Sequence, residues 1–301
     1  MIGDLIDFDA VRKRRVRHSQ VIGFMEKQPA RVIAITSGKG GVGKTTTAVN
    51  LALALVQAGK KVLVLDADLG LANVNIMLGF EPRMTLREVI AQRATIDDVI
   101  VSLPSGLDII PASSGFPELT NLSEGERMLL VSAFDDLAYR YDYMLVDTAA
   151  GIGDNVLYFN EAAEDVLVVI DSEPTSLTDA YALIKVLAAQ HGVKSFQILV
   201  NRVPKGVDGK QVFAQIAAAT GKFLSVRLQY LGSIGHDEEV SKAIISQRAF
   251  YELFPSSKTG LDFAKLAKRL IAEPRQASPR GGLQFFFRAL LEGGKGRVSS
   301  Q

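Results

Sequence analysis

The sequence contains no cysteine. That absence removes disulfide scaffolds, thiolate zinc sites, iron–sulfur clusters and cysteine nucleophiles together, and it fits a reducing compartment. Histidine is almost as scarce. His18, His191 and His236 are scattered along the chain, so no histidine-based metal site is expected. No apolar run is long enough to cross a bilayer, and the first residues lack the apolar core of a secretory signal, which predicts a cytosolic protein. Charge of one sign is also missing, since the formal net charge is +1. The charge is unevenly placed, however. Residues 1–30 hold six Lys or Arg against four Asp or Glu, and residues 275–301 hold five against one, so the two ends carry +6 and residues 31–274 carry −5. Basic ends are attracted to phosphate-rich surfaces, either nucleic acid or anionic lipid, or they are simply solvated tails.

What remains is ordinary globular material: 301 residues, 48% hydrophobic and 22% charged, enough for one large domain or two smaller ones. Short runs rich in Val, Ile and Leu recur at 32–35, 62–65, 144–146, 166–170 and 198–200. Runs this uniformly apolar suit parallel strands covered on both faces. Helical patterns fall between and after them at 44–58, 85–93, 123–139, 176–190, 208–219, 237–246 and 258–272. The expected fold is therefore α/β, a doubly wound, mostly parallel sheet with helices on both faces. Pro29 and the cluster Pro274, Pro279, Gly281 and Gly282 place boundaries near the two ends. This gives a basic extension at 1–30, a core domain at 31–274 and a basic tail at 275–301.

One stretch is far more specific than the rest. Gly38-Lys39-Gly40-Gly41-Val42-Gly43-Lys44-Thr45 fits the eight-position phosphate-loop pattern without a mismatch, after a strand and before a helix. Glycine-rich backbone N–H groups and a helix N-terminus then converge on one anionic position. Lys44 would reach the β- and γ-phosphates of ATP, and the Thr45 hydroxyl would be a Mg2+ ligand. The second run ends in Asp66-Ala67-Asp68, and the third in Asp147. All three carboxylates belong to the C-terminal edge of the sheet, where α/β crevices form. Alternate strand residues share a face, so Asp66 and Asp68 could look toward one magnesium and one attacking water. Asp147, closing an apolar strand, would hold magnesium through water.

The run Lys39-Gly40-Gly41-Val42-Gly43-Lys44-Thr45-Thr46 resembles the deviant Walker A motif of the MinD/ParA ATPases. The resemblance implies a homodimer sandwiching two ATP molecules, with each Lys39 reaching the phosphates bound by its partner, where a cation stabilises the transferring phosphoryl group. It implies that Asp66 lies near the metal and that Asp68 positions or activates water. It also implies that Asn201-Arg202 meets adenine. Where this family often has proline in the second base-side loop, the chain reads Gly235-His236-Asp237, and His236 either stacks near the base or faces solvent. Within the group, the flagellar number regulators (FlhG, also called FleN) are the nearer match, through residues 66–74, 147–154 and 173–185. Their partners, implied in turn, are the flagellar GTPase FlhF, the master transcriptional activator of flagellar genes, and switch-complex components. The Asp-Gln-Ala-containing N-terminal motif by which some relatives stimulate FlhF has no counterpart in this chain, which carries Arg12-Lys13-Arg14-Arg15-Val16-Arg17 instead.

The C-terminal tail makes a separate argument. Leu283, Phe286, Phe287, Leu290 and Leu291 follow the i, i+3, i+4, i+7, i+8 spacing of one helical face, with Arg280, Arg288, Lys295 and Arg297 around it. Such a helix either lies on an anionic membrane or packs against its own domain. Weak attachment by one copy would become ATP-dependent when a dimer presents two, so hydrolysis would drive release. The expected activity is a slow ATPase, stimulated by a partner or membrane, that regulates flagellar number and flagellar gene expression. The alternatives are a cell-division ATPase like MinD, a ParA-type partition protein touching DNA through Arg12–Arg17, and a scaffold that binds nucleotide without hydrolysing it.

Overall fold

The computed structural model describes residues 28–68, 73–111, 125, 132–134 and 137–275. Eight strands form one sheet: β1 (Arg31–Ser37), β2 (Val62–Ala67), β3 (Val101–Ser102), β4 (Asp108–Ile110), β5 (Tyr143–Ala150), β6 (Asp165–Ile170), β7 (Ser195–Val203) and β8 (Arg227–Gly235). Their order is β3-β4-β2-β5-β1-β6-β7-β8, and every pairing is parallel except β3 with β4. The described helices are α1 (Lys44–Gln57), α2 (Asn73–Leu78), α3 (Leu86–Ile90), α4 (Ile96–Val99), α5 (Asp154–Ala162), α6 (Pro174–Gln190), α7 (Gly209–Phe223), α8 (Glu238–Ile245), α9 (Phe250–Leu253) and α10 (Lys258–Ala272).

Alternation along each strand builds the two layers. Ile33 and Ile35 of β1 enter a core with Leu51 and Leu55 of α1 and Phe263 and Leu266 of α10. Val32 and Ala34 enter the opposite layer. Because both faces are covered, β2 and β6 are buried along their whole length, which is why their sequences are nearly unbroken aliphatic runs. β1 lies between β5 and β6, so the loop that follows it opens where the strand order reverses, the usual crevice of such sheets. At the other end of β1, Arg31 is 2% exposed and donates to Asp165 (2.6 Å) and to the carbonyls of Leu270 (3.1 Å) and Glu273 (3.3 Å). It thereby ties the start of the sheet to the end of α10.

The five expected strands are present, each extended by between one and six residues. β8 escapes a pattern search because it is an edge strand of mixed polarity, with only Leu231, Gly232 and Ile234 buried. The two short strands β3 and β4 and the brief helices α2, α4 and α9 are too short to carry a period. α5 keeps a buried Asn160, whose amide donates to Val156 O (2.7 Å) and Thr36 Oγ1 (3.3 Å), and this polar residue breaks its apolar pattern. The helix expected at 123–139 falls mostly outside the described residues, although 132–134 are helical. The basic segment Arg12–Arg17 and the apolar series Leu283, Phe286, Phe287, Leu290 and Leu291 also lie outside them. Among the described residues no helix is long and apolar enough to cross a membrane.

Candidate functional site: a phosphate loop facing buried carboxylates

The loop from Gly38 to Gly43 joins β1 to α1. Two of its glycines are dictated by geometry. A Cβ on Gly38 would sit 2.1 Å from the backbone carbon of Asp179, so only glycine lets the loop press against α6. Gly43 is the N-cap of α1 in the left-handed region, at φ 91, and a Cβ there would meet the Asn201 amide nitrogen at 2.5 Å. α1 then begins at Lys44 with no acidic residue in its first turn, leaving the helix N-terminus electropositive.

Lys44 is 9% exposed. Burial lowers its pKa, opposed by the charges of Asp147 and Asp68. Asp66 and Asp147 are register partners on adjacent strands β2 and β5, and both are fully buried. Asp66 is well satisfied: it accepts from the backbone N–H groups of Asp68 (3.2 Å), Asn73 (3.1 Å) and Val74 (3.1 Å), the last two being the first N–H groups of α2. Burial nevertheless pushes its carboxyl up to about 6. Asp147 is the opposite case, since neither carboxylate oxygen has a hydrogen-bond partner. Burial pushes Asp147 up to about 7, moderated by the Thr45 hydroxyl and Lys44 and reinforced by the charges of Asp66 and Asp68. Asp68, just beyond β2, accepts from Asn73 Nδ2 at 2.9 Å.

A buried, unpartnered carboxylate beside a hydroxyl and a second carboxylate suits a magnesium ion and its bound waters. Among the described residues no three carboxylate, histidine or cysteine side chains converge closely enough to hold a metal alone. Magnesium that shares its ligands with substrate phosphates needs only one or two carboxylates, so Thr45, Asp66 and Asp147 fit it.

Lys39 points back into its own chain, donating to the Glu173 carboxylate and to Thr175 Oγ1 (3.0 Å) at the start of α6. Glu173 raises the Lys39 pKa. Asn201 and Arg202, at the end of β7, meet the loop from behind: Asn201 Nδ2 donates to Val42 O (2.8 Å) and Arg202 Nη1 to Gly41 O (3.0 Å). Beside them opens a cavity of about 260 Å³, bounded by Gly43, Thr46, Ile234, His236, Ser241 and Phe263 among others. His236 is exposed at its rim, its backbone N–H held by Val203 O (2.9 Å).

The structure thus brings Gly38 to Thr46, Asp66, Asp68, Asp147, Asn201 and Arg202 to one edge of the sheet. Sequence reasoning did not single out Glu173 and Thr175 as holders of Lys39, although Glu173-Pro174-Thr175 is a helix-start signal. Nor did it find Ser241 or Phe263 as cavity walls, because no spacing pattern connects them to the loop.

A family model described as an AAA domain matches residues 30–197. The antiactivator FleN of Pseudomonas aeruginosa is 48% identical over 264 residues, covering 88% of this chain and 94% of FleN. The flagellum site-determining protein YlxH of Helicobacter pylori is 30% identical over 273 residues, covering 89% and 92%. Among solved structures, the septum site-determining protein MinD complexed with Mg-ADP from Pyrococcus horikoshii superposes with a TM-score of 0.64 at 26% identity, over 83% of this chain and all of that one. Sequence, fold and the second loop lysine agree: the chain belongs to the MinD/ParA family of P-loop ATPases.

Proposed function

We propose that this chain is an ATP-driven dimerising switch that regulates flagellar number, flagellar placement and flagellar gene expression. The carrying observation is the fully buried Asp147 carboxylate set among Thr45, Lys44 and Asp66, an arrangement that suits a cation bound together with a polyphosphate. Thr45, Asp66 and Asp147 would hold Mg2+, whose chemistry is to neutralise charge between the β- and γ-phosphates. The nucleoside would occupy the cavity beside Asn201 and His236. Asp68 would orient water for attack on the γ-phosphorus, forming the new P–O bond as the bond to the β-phosphate oxygen breaks. Lys44 and a partner's Lys39 would stabilise the charge gathered on the transferring group. The products are ADP and phosphate.

The flagellar output rests on the relatives FleN and YlxH, named as an antiactivator and as a flagellum site-determining protein. By that analogy the ATP-bound homodimer would engage the master transcriptional activator and FlhF, while its paired C-terminal segments hold an anionic membrane until hydrolysis. A cell-division role is the second reading, favoured by the fold match to MinD.

Phosphate release and particle mass decide the matter together. Wild type should hydrolyse ATP slowly, Lys44→Ala should lose nucleotide binding, and Asp68→Ala should accumulate an ATP-bound dimer that co-purifies with the flagellar partners from cells. Monomeric Asp68→Ala in excess ATP, or a wild type silent with lipid and partners present, refutes the switch.

A further inference from the structure

Asn201 and Arg202 sit where a base reader is expected, yet both side chains spend a donor on the phosphate loop itself. The two acceptors are consecutive carbonyls, Gly41 O and Val42 O. A peptide group is planar and trans, so a carbonyl drawn outward forces the next N–H to point the opposite way. Fixing Gly41 O therefore turns the Val42 N–H inward, and fixing Val42 O does the same for the Gly43 N–H. Successive N–H groups aimed into one concavity are what a polyphosphate requires.

Two further features support this. Arg202 is one of three non-glycine residues with positive φ among those described, at φ 53. A long side chain held in the left-handed region is strained, and strain of this kind persists where the surroundings over-determine it. Gly43, at φ 91, has no room for a Cβ because the Asn201 amide occupies the space. The loop and the β7 end are thus fitted to each other across a separation of 159 residues.

We infer that Arg202, with Asn201, is a positioning residue that presets the peptide planes of the phosphate loop, so that the chain recognises the polyphosphate before and independently of the base. This rests on the ATPase reading and adds a role to it: Arg202 acts through Gly41 O and touches no reacting atom.

The test compares ATP with a base-free probe, inorganic tripolyphosphate, each with Mg2+, by calorimetry on the full chain. Arg202→Met should weaken both by the same factor, about 10-fold or more, as expected for loss of a charge-assisted hydrogen bond. Arg202→Gly, which relieves the left-handed strain while removing the donor, should show the same loss with an unchanged or raised Tm. Arg202→Gln, a neutral donor, should recover part of the affinity. Loss of ATP binding with tripolyphosphate unchanged would make Arg202 a base reader. Recovery by Arg202→Lys but not by Gln would reduce it to a through-space charge, and affinity restored by Arg202→Gly would reduce it to a fold support. Each of these overturns the proposal while leaving the ATPase reading intact. A wild type that binds neither probe overturns both.

Discussion

Lys39 donates to the carboxylate of Glu173, the N-cap residue of α6 in the same chain. The lysine proposed to reach a partner's phosphates is thus engaged within its own chain. Both side chains are solvated, with Lys39 33% and Glu173 60% exposed, so the contact is weak and reversible. Glu173→Gln should loosen it and favour the ATP-bound dimer, by a factor of about five at most. Sedimentation velocity in ATP with the slow Asp68→Ala background measures the shift, and a dimer weakened by Glu173→Gln would show that Glu173 serves the interface directly.

Asp147 gives a stability prediction with a definite sign. Its folded pKa of about 7, and that of Asp66 near 6, lie above the ordinary carboxylate range because both groups are buried. A raised carboxyl favours the folded state at low pH, and that contribution disappears as pH rises through 6 and 7. Nucleotide-free protein should therefore have a lower Tm at pH 8 than at pH 5.5. Asp147→Asn should flatten that slope and raise the Tm at pH 8, by roughly 2–4 kcal/mol of stability, while abolishing magnesium-dependent ATP binding. Thermal melts at both pH values, with and without Mg-ATP, test both halves.

Arg31 is a buried cation at the start of β1, and its guanidinium is engaged by Asp165 and two carbonyls. Replacing it by Met would leave Asp165, only 7% exposed, without its 2.6 Å partner and would release two carbonyls at the end of α10. A loss of about 3–5 kcal/mol is expected, because an unpaired charge is left inside. Arg31→Met with Asp165→Leu should recover much of it. Urea melts of the single and double variants give the coupling.

For the tail, Phe286→Glu should abolish sedimentation with anionic liposomes without changing ATP affinity, since it would place a charge in the apolar series that the sequence predicts to share one helical face. Unchanged sedimentation would remove the membrane from the proposal.

Features contained in one contiguous stretch were legible from the sequence. The loop Gly38 to Thr45 names its own chemistry because backbone N–H groups, lysine and hydroxyl are all supplied within eight residues. The aliphatic runs that became β1, β2, β5, β6 and β7 were legible because burial on both faces leaves no polar position to obscure them. β8 was not, since an edge strand answers to one covered face and to solvent.

The tertiary structure decided how distant segments complete that loop. Asn201 reaches Val42, Glu173 takes Lys39, and the pairing of β2 with β5 sets Asp66 opposite Asp147. The pairing also leaves Asp147 without a donor, a fact about neighbours rather than about residue type. Local propensity fixes which backbone shapes a segment adopts. Which polar groups are satisfied within the chain depends on sheet register and helix packing, and these exist only once the chain is folded.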